Sequence, residues 1–192
     1  MLIKRFMVLK QRMAPSSVRH KFAVTSFVGS TVWNCDLSED VDLALKAVDD
    51  VEETIHSDVW DANSLFDDLT ARAPTDPASH TLRVVLVYFR AQSLPVVDKA
   101  RTDAFSKLPG AFLDILYVHD KANDPATKES VQRVFDKLNE FTDSEDSYIL
   151  ETAIHYRFVS YFARLLAHPL QRTVNGWFDI DPETSNPMDF EK

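Results

Sequence analysis

Two stretches of the sequence constrain the fold more than any other feature: "TLRVVLVYFR" (81–90) and "AFLDILYVHD" (111–120). Each is a short, nearly unbroken apolar run rich in Val, Leu, Ile and aromatics, the pattern of a strand covered on both faces. Between them, residues 96–107 have the length of one helix and lead into Pro109-Gly110. Two such strands joined by a helical crossover form a parallel pair, because a parallel connection needs a dozen or more residues and packs its helix back onto the sheet.

The rest of the chain extends this reading. Leu2, Phe6, Leu9 and Met13 recur at helical spacing until Pro15 stops them. Residues 20–28 and 31–35 read as a β-hairpin around Gly29-Ser30, with the glycine supplying positive φ. An amphipathic helix follows, with Val41, Ala44, Leu45, Val48, Glu52 and Ile55 on one face and Asp36 or Ser38 as its cap. A shorter helix over 61–73 carries Leu65, Phe66 and Leu69. Asp124-Pro125 is a helix start, with Val131, Val134, Phe135, Leu138 and Phe141 as its stripe. "DSYILETA" is a last short strand. The final helix bears Ile154, Phe158, Tyr161, Phe162, Leu165 and Leu166 and ends near Ala167, since the residue before Pro169 is pushed out of helical geometry. The expected architecture is therefore α/β, a parallel sheet with helices on both faces.

Composition narrows the chemistry. The net charge of −9 gives no electrostatic footprint for nucleic acid, apart from a short basic patch of Lys4, Arg5, Lys10, Arg12, Arg19 and Lys21. The one cysteine, Cys35, allows no internal disulfide and no Cys-based zinc site, and points to a reducing compartment. No apolar run approaches the ~20 residues a membrane-spanning helix needs. Three glycines cannot supply a phosphate-cradling loop, and no Gly-x-Ser-x-Gly elbow is present. The six histidines never fall at the close spacings of a zinc site.

Three sets of residues are candidate sites. "DLSED" (36–40) offers Asp36, Ser38 and Asp40 in a pattern near the Asp-x-Ser-x-Ser loop that holds a metal in von Willebrand A domains, but with Asp in the third place; helix capping explains Asp36 and Ser38 without a metal. His119-Asp120 ends a strand, where α/β sheets place ligands, yet no nucleophile signature accompanies it, so a small hydrolase using His119 or His168 has little to build on. "LLAHPLQR" (165–172) closes the last helix with His168, Pro169, Leu170, Gln171 and Arg172; a cation there meets the negative end of the helix dipole, and no catalytic partner for the polar trio is visible.

"VVLVYFR" (84–90), "FLDILYVHD" (112–120), "HKFAVTSFVGSTVWNCDLSED" (20–40) and above all "LLAHPLQR" resemble the von Willebrand A-like scaffold subunits of the BRISC and BRCA-A deubiquitinase complexes, the MERIT type, over residues 1–172. The resemblance implies a von Willebrand A-like, Rossmann-like doubly wound sheet and a non-catalytic role without cofactor. It also implies binding to a subunit built of ubiquitin-E2-variant domains and, through it, association with a zinc deubiquitinase and its Abraxas-type scaffold partner. That assembly trims lysine-sixty-three-linked ubiquitin chains in DNA-damage and cytoplasmic signalling, which places the protein in nucleus and cytoplasm, with no direct nucleic-acid or membrane contact. Residues 168–172 then become a partner-binding segment, and 173–192 an acidic flexible tail. In that family the first strand precedes the helix at 1–13, so the chain is expected to be truncated or to receive that strand from a partner. A 3-2-1-4-5-6 order would leave a gap between residues 20–28 and 81–90, with about 4.8 Å on either side of the missing strand.

Overall fold

The computed structural model describes residues 2–27, 29–51, 59–142, 147–154 and 156–168. In chain order the elements are α1 (Leu2–Arg12), β1 (Phe22–Phe27), β2 (Thr31–Ser38), α2 (Val41–Asp49), β3 (Trp60–Asp61), α3 (Asn63–Ala71), β4 (Leu82–Tyr88), β5 (Pro95–Val96), α4 (Lys99–Ser106), β6 (Ala111–Val118), α5 (Pro125–Asn139), β7 (Ile149–Thr152) and α6 (Arg157–Leu166).

The two apolar runs pair as expected. β4 lies parallel to β6 in unbroken register from Leu82 opposite Ala111 to Tyr88 opposite Tyr117, and β7 adds to the other edge of β6. Alternation along β6 divides the core. Leu113, Ile115 and Tyr117 pack with Leu65, Phe66 and Leu69 of α3, Phe105 of α4 and Val131, Val134 and Leu138 of α5. Leu116 and Val118 point to the opposite face and meet Phe158, Phe162 and Leu165 of α6, with Leu2, Ile3 and Phe6 of α1 against them. Helices therefore cover both faces of a parallel sheet, the mixed α/β arrangement anticipated from the sequence.

The two runs are not equivalent, however. β6 is buried from Phe112 to Val118, whereas in β4 only Leu86 and Tyr88 are buried. The cause is position. β6 has strand neighbours on both edges, while β4 pairs only with β6 and β1 only with β2 among the described residues. The hairpin and the three-stranded sheet thus meet at a seam without strand pairing. Side chains bridge it: Phe27 at the end of β1 stacks on Trp60 at 4.2 Å and on Tyr88 at 5.8 Å, and Arg90 donates from Nη2 to Phe27 O at 3.1 Å. Above the seam α1 packs on α6 through Phe6 and Phe162, 5.6 Å apart, and also contacts α2.

Local chemistry sets the boundaries. Gly29 has φ +98° at the hairpin turn, a conformation costly for a side chain bearing Cβ. Asp124 accepts from Thr127 N at 2.9 Å with Pro125 in the first turn, and Ala167 leaves α6 in extended geometry before Pro169. Two expectations are corrected. β2 runs on to Ser38, so Asp36 and Ser38 belong to a strand, and the cap of α2 is Asp40, which accepts from Asp42 N at 3.0 Å. α2 ends at Asp49, and Glu52 and Ile55 lie outside the described residues. The two-residue parallel pair β3–β5 had no periodic signal.

One buried charge ties the middle of β6 to its neighbours. Asp114, fully buried on β6, accepts at Oδ2 from Arg83 Nε (2.9 Å) and Nη2 (2.8 Å) and at Oδ1 from Tyr148 N (3.0 Å). Two charged donors on one oxygen, with the other oxygen satisfied by a backbone N–H, make a setting in which a buried carboxylate is tolerated. Asp114→Ala removes the carboxylate that Arg83 and Tyr148 N engage, and chemical denaturation should show a loss of about 3–5 kcal/mol; a loss below about 1 kcal/mol would contradict the assignment.

Candidate functional site

The end of α6 is built from long-range contacts. A helix C-terminus leaves carbonyls without intrahelical donors and carries partial negative charge. Here two cations from distant parts of the chain serve it: Lys10 of α1 donates from Nζ to Leu166 O at 2.8 Å, and Arg83 of β4 from Nη1 to Ala167 O at 2.9 Å. Arg83 thereby joins the buried Asp114 to the last turn of α6. Leu165 is fully buried in the face shared with β6, which fixes the helix rotation.

His168 emerges from this fixed end. Its ring meets Phe112, at the start of β6, edge-on at 6.2 Å. His20, just ahead of β1, lies near enough for its pKa to be lowered, first by partial burial and then by the positive charges of Lys10 and His168. The corner thus gathers the N-terminal ends of β1, β4 and β6, the C-terminal end of α1 and the exit of α6. Pro169, Leu170, Gln171 and Arg172 lie outside the described residues. Among the described residues, the cations that serve the helix end are Lys10 and Arg83, in addition to those expected from 168–172. At separations of 156 and 84 residues, no local pattern could have revealed them.

The other sequence candidates are placed differently. Asp36 accepts at Oδ1 from Leu37 N at 2.8 Å and from Arg72 Nε at 3.5 Å, and those two partners hold its carboxyl below the usual range, the backbone donor foremost. Ser38 Oγ accepts from Asp40 N, and Asp40 caps α2. The three side chains that suggested a metal loop are engaged separately in local structure, and among the described residues no group of three or more His, Cys, Asp or Glu is placed to hold a metal ion. His119 does stand at the C-terminal end of β6, but both ring nitrogens are engaged, Nε2 with Glu151 Oε1 and Nδ1 with Asp120 O, each at 2.7 Å. Neighbouring Tyr117 has a buried hydroxyl without a hydrogen-bond partner among the described residues, whose pKa is raised by burial and then by Glu151. Cys35 lies on β2, half-buried, with Sγ 3.3 Å from Asp36 O. His56 and His155 lie outside the described residues.

No protein-family model matches the chain. It is similar to proteins named "BRISC and BRCA1-A complex member 1". The one from Bos taurus is 26% identical over 185 residues, covering 89% of this chain and 54% of the relative. That from Xenopus tropicalis is 25% identical over 168 residues, 80% of this chain and 51% of the relative. That from Callithrix jacchus is 25% identical over 185 residues, with coverage of 89% and 54%. The chain spans about half the length of the curated relatives it matches.

The depressed pKa of His20 has a definite sign. A histidine that binds its proton less well in the folded state penalises folding as pH falls through its unfolded value near 6.5, and the penalty is absent above that. Thermal melts between pH 7.5 and 5.5 should therefore show a smaller fall in Tm for His20→Asn than for the native chain. An identical fall in both would remove His20 from the corner's electrostatics.

Proposed function

The chain belongs to the family of BRISC and BRCA1-A complex member 1, and from that premise we propose that it is a non-catalytic scaffold subunit of a deubiquitinase assembly of the BRISC and BRCA-A kind. The observation that carries the reading is the match to relatives named as complex members over 80–89% of this chain. The direct partner is a subunit built of ubiquitin-E2-variant domains. Through that subunit the chain joins a zinc deubiquitinase and its Abraxas-type partner, acting on lysine-sixty-three-linked ubiquitin in DNA-damage and cytoplasmic signalling, in nucleus and cytoplasm.

Two structural features favour this reading. A β1–β2 hairpin beside a parallel β4–β6–β7 sheet with helices on both faces is compatible with the von Willebrand A-like layout that this reading adopts. The α6 corner is anchored as far as Ala167 by Arg83 and Lys10, which gives a partner-binding surface there a rigid base.

Co-expression with the E2-variant-domain subunit should yield a complex stable through size-exclusion chromatography. Replacing His168, Gln171 and Arg172 together by Ala should raise Kd about tenfold or more, roughly 1.4 kcal/mol, while leaving Tm unchanged. Failure of the native chain to bind would overturn the proposal; full binding by the triple variant would move the interface away from the corner.

A further inference from the structure

α1 is amphipathic in an unusual sense: its outer face is both basic and apolar. It carries Lys4, Arg5, Lys10 and Arg12 and no acidic residue. Lys4 pairs with Asp49 of α2, and Lys10 serves the end of α6. Arg5 and Arg12 are exposed and have no ion pair or hydrogen bond among the described residues. Seven residues apart, they project from one face, about 10 Å from each other along the axis. Between them and α2 runs an open groove of about 390 Å³, lined by Lys4, Arg5, Val8, Leu9, Arg12 and Leu45. Its lining is mainly apolar, with Leu9 45% exposed, and its rim is cationic. A groove of this character fits an acidic segment interleaved with large apolar side chains.

The chain contains such a segment. Residues 177–192, WFDIDPETSNPMDFEK, hold five acidic residues (Asp179, Asp181, Glu183, Asp189 and Glu191) against one Lys, with Trp177, Phe178, Ile180, Met188 and Phe190 among them. These residues lie outside the described part of the structure, but its last described residue fixes where they depart. The Lys10–Leu166 contact sets the exit of α6 beside the C-terminal end of α1, the end at which Arg12 stands. Residues 169–176 can span up to about 27 Å, whereas α1 is about 16 Å long, so Trp177 can reach any point of the groove. Tethering at that distance gives an effective concentration in the millimolar range, which makes even a weak acidic-apolar contact populated.

We propose that the groove between α1 and α2 is an intramolecular docking site for the acidic aromatic segment 177–192 of the same chain, with Arg5 and Arg12 meeting its carboxylates and Val8, Leu9 and Leu45 its apolar side chains. An external acidic partner would then have to displace that segment before binding there.

The test uses the full chain, 15N-labelled, with Cys35→Ser and Ser185→Cys carrying a nitroxide at 185. At low salt the amide signals of Val8, Leu9 and Leu45 should broaden relative to the reduced label, while those of Leu113 and Val131, in the core below the sheet's other face, should not. The broadening should vanish with Arg5→Glu and Arg12→Glu, and weaken at high salt. Unbroadened groove signals, or broadening that survives both charge reversals, would overturn the proposal. So would broadening of an unlabelled-tail chain mixed with spin-labelled chain, which would make the occupant a second copy. If the cysteine replacement perturbs folding, the native chain and its Arg5→Glu, Arg12→Glu variant can be compared directly. Chemical-shift differences at residues 177–192 support the docking, and their absence overturns it.

Discussion

Burying Asp114 in the middle of β6 is the constraint from which much of the structure follows. A carboxylate at that depth is tolerated only with a charged donor and a full set of hydrogen bonds. Arg83 supplies two donors from the neighbouring strand, and Tyr148 N, just before β7, supplies the third. The pair therefore fixes the register of all three strands at one level. The same guanidinium reaches on to Ala167 O, beside which Lys10 serves Leu166 O, and Lys10 belongs to α1, which spans from α6 to α2. A chain of directional contacts thus runs from the centre of the sheet to an exit point on its surface.

What the sequence disclosed was whatever depends on neighbours within a few residues. The helix start at Asp124-Pro125, the hairpin glycine, the stop of α6 before Pro169 and the stripe of Phe158, Phe162 and Leu165 are all local or periodic signals, and the structure contains them. The difference between β4 and β6 was not legible, because two similar apolar runs say nothing about how many strand neighbours each acquires. Asp36 and Ser38 were misplaced as helix caps because the hairpin strand continues three residues further, which only its pairing with β1 determines. The capping of α6 by Lys10 and Arg83 was equally invisible. "LLAHPLQR" was recognisable as a helix end and an exit, but what holds that end lies 84 and 156 residues away.

The candidate groups away from the α6 corner are each engaged by local partners. His119 is engaged at both nitrogens, Asp40 caps a helix, and Asp36 pairs with Arg72, whose guanidinium also lies 3.7 Å over the ring of Trp33. Fold alone carries no function; the surfaces left for it are the α6 corner, the basic groove beside α1 and the seam at which β1 and β4 each present an edge without a strand partner among the described residues. Each is open to solvent or to a further chain, and the relatives are named as complex members.

Hydrogen exchange followed by mass spectrometry, on the chain alone and in complex with the E2-variant-domain subunit, addresses the scaffold account most directly. The account predicts that peptides covering 164–172 gain protection in the complex while those within β6, already buried, do not change. Unaltered exchange at 164–172, with new protection confined to other surfaces, would contradict it.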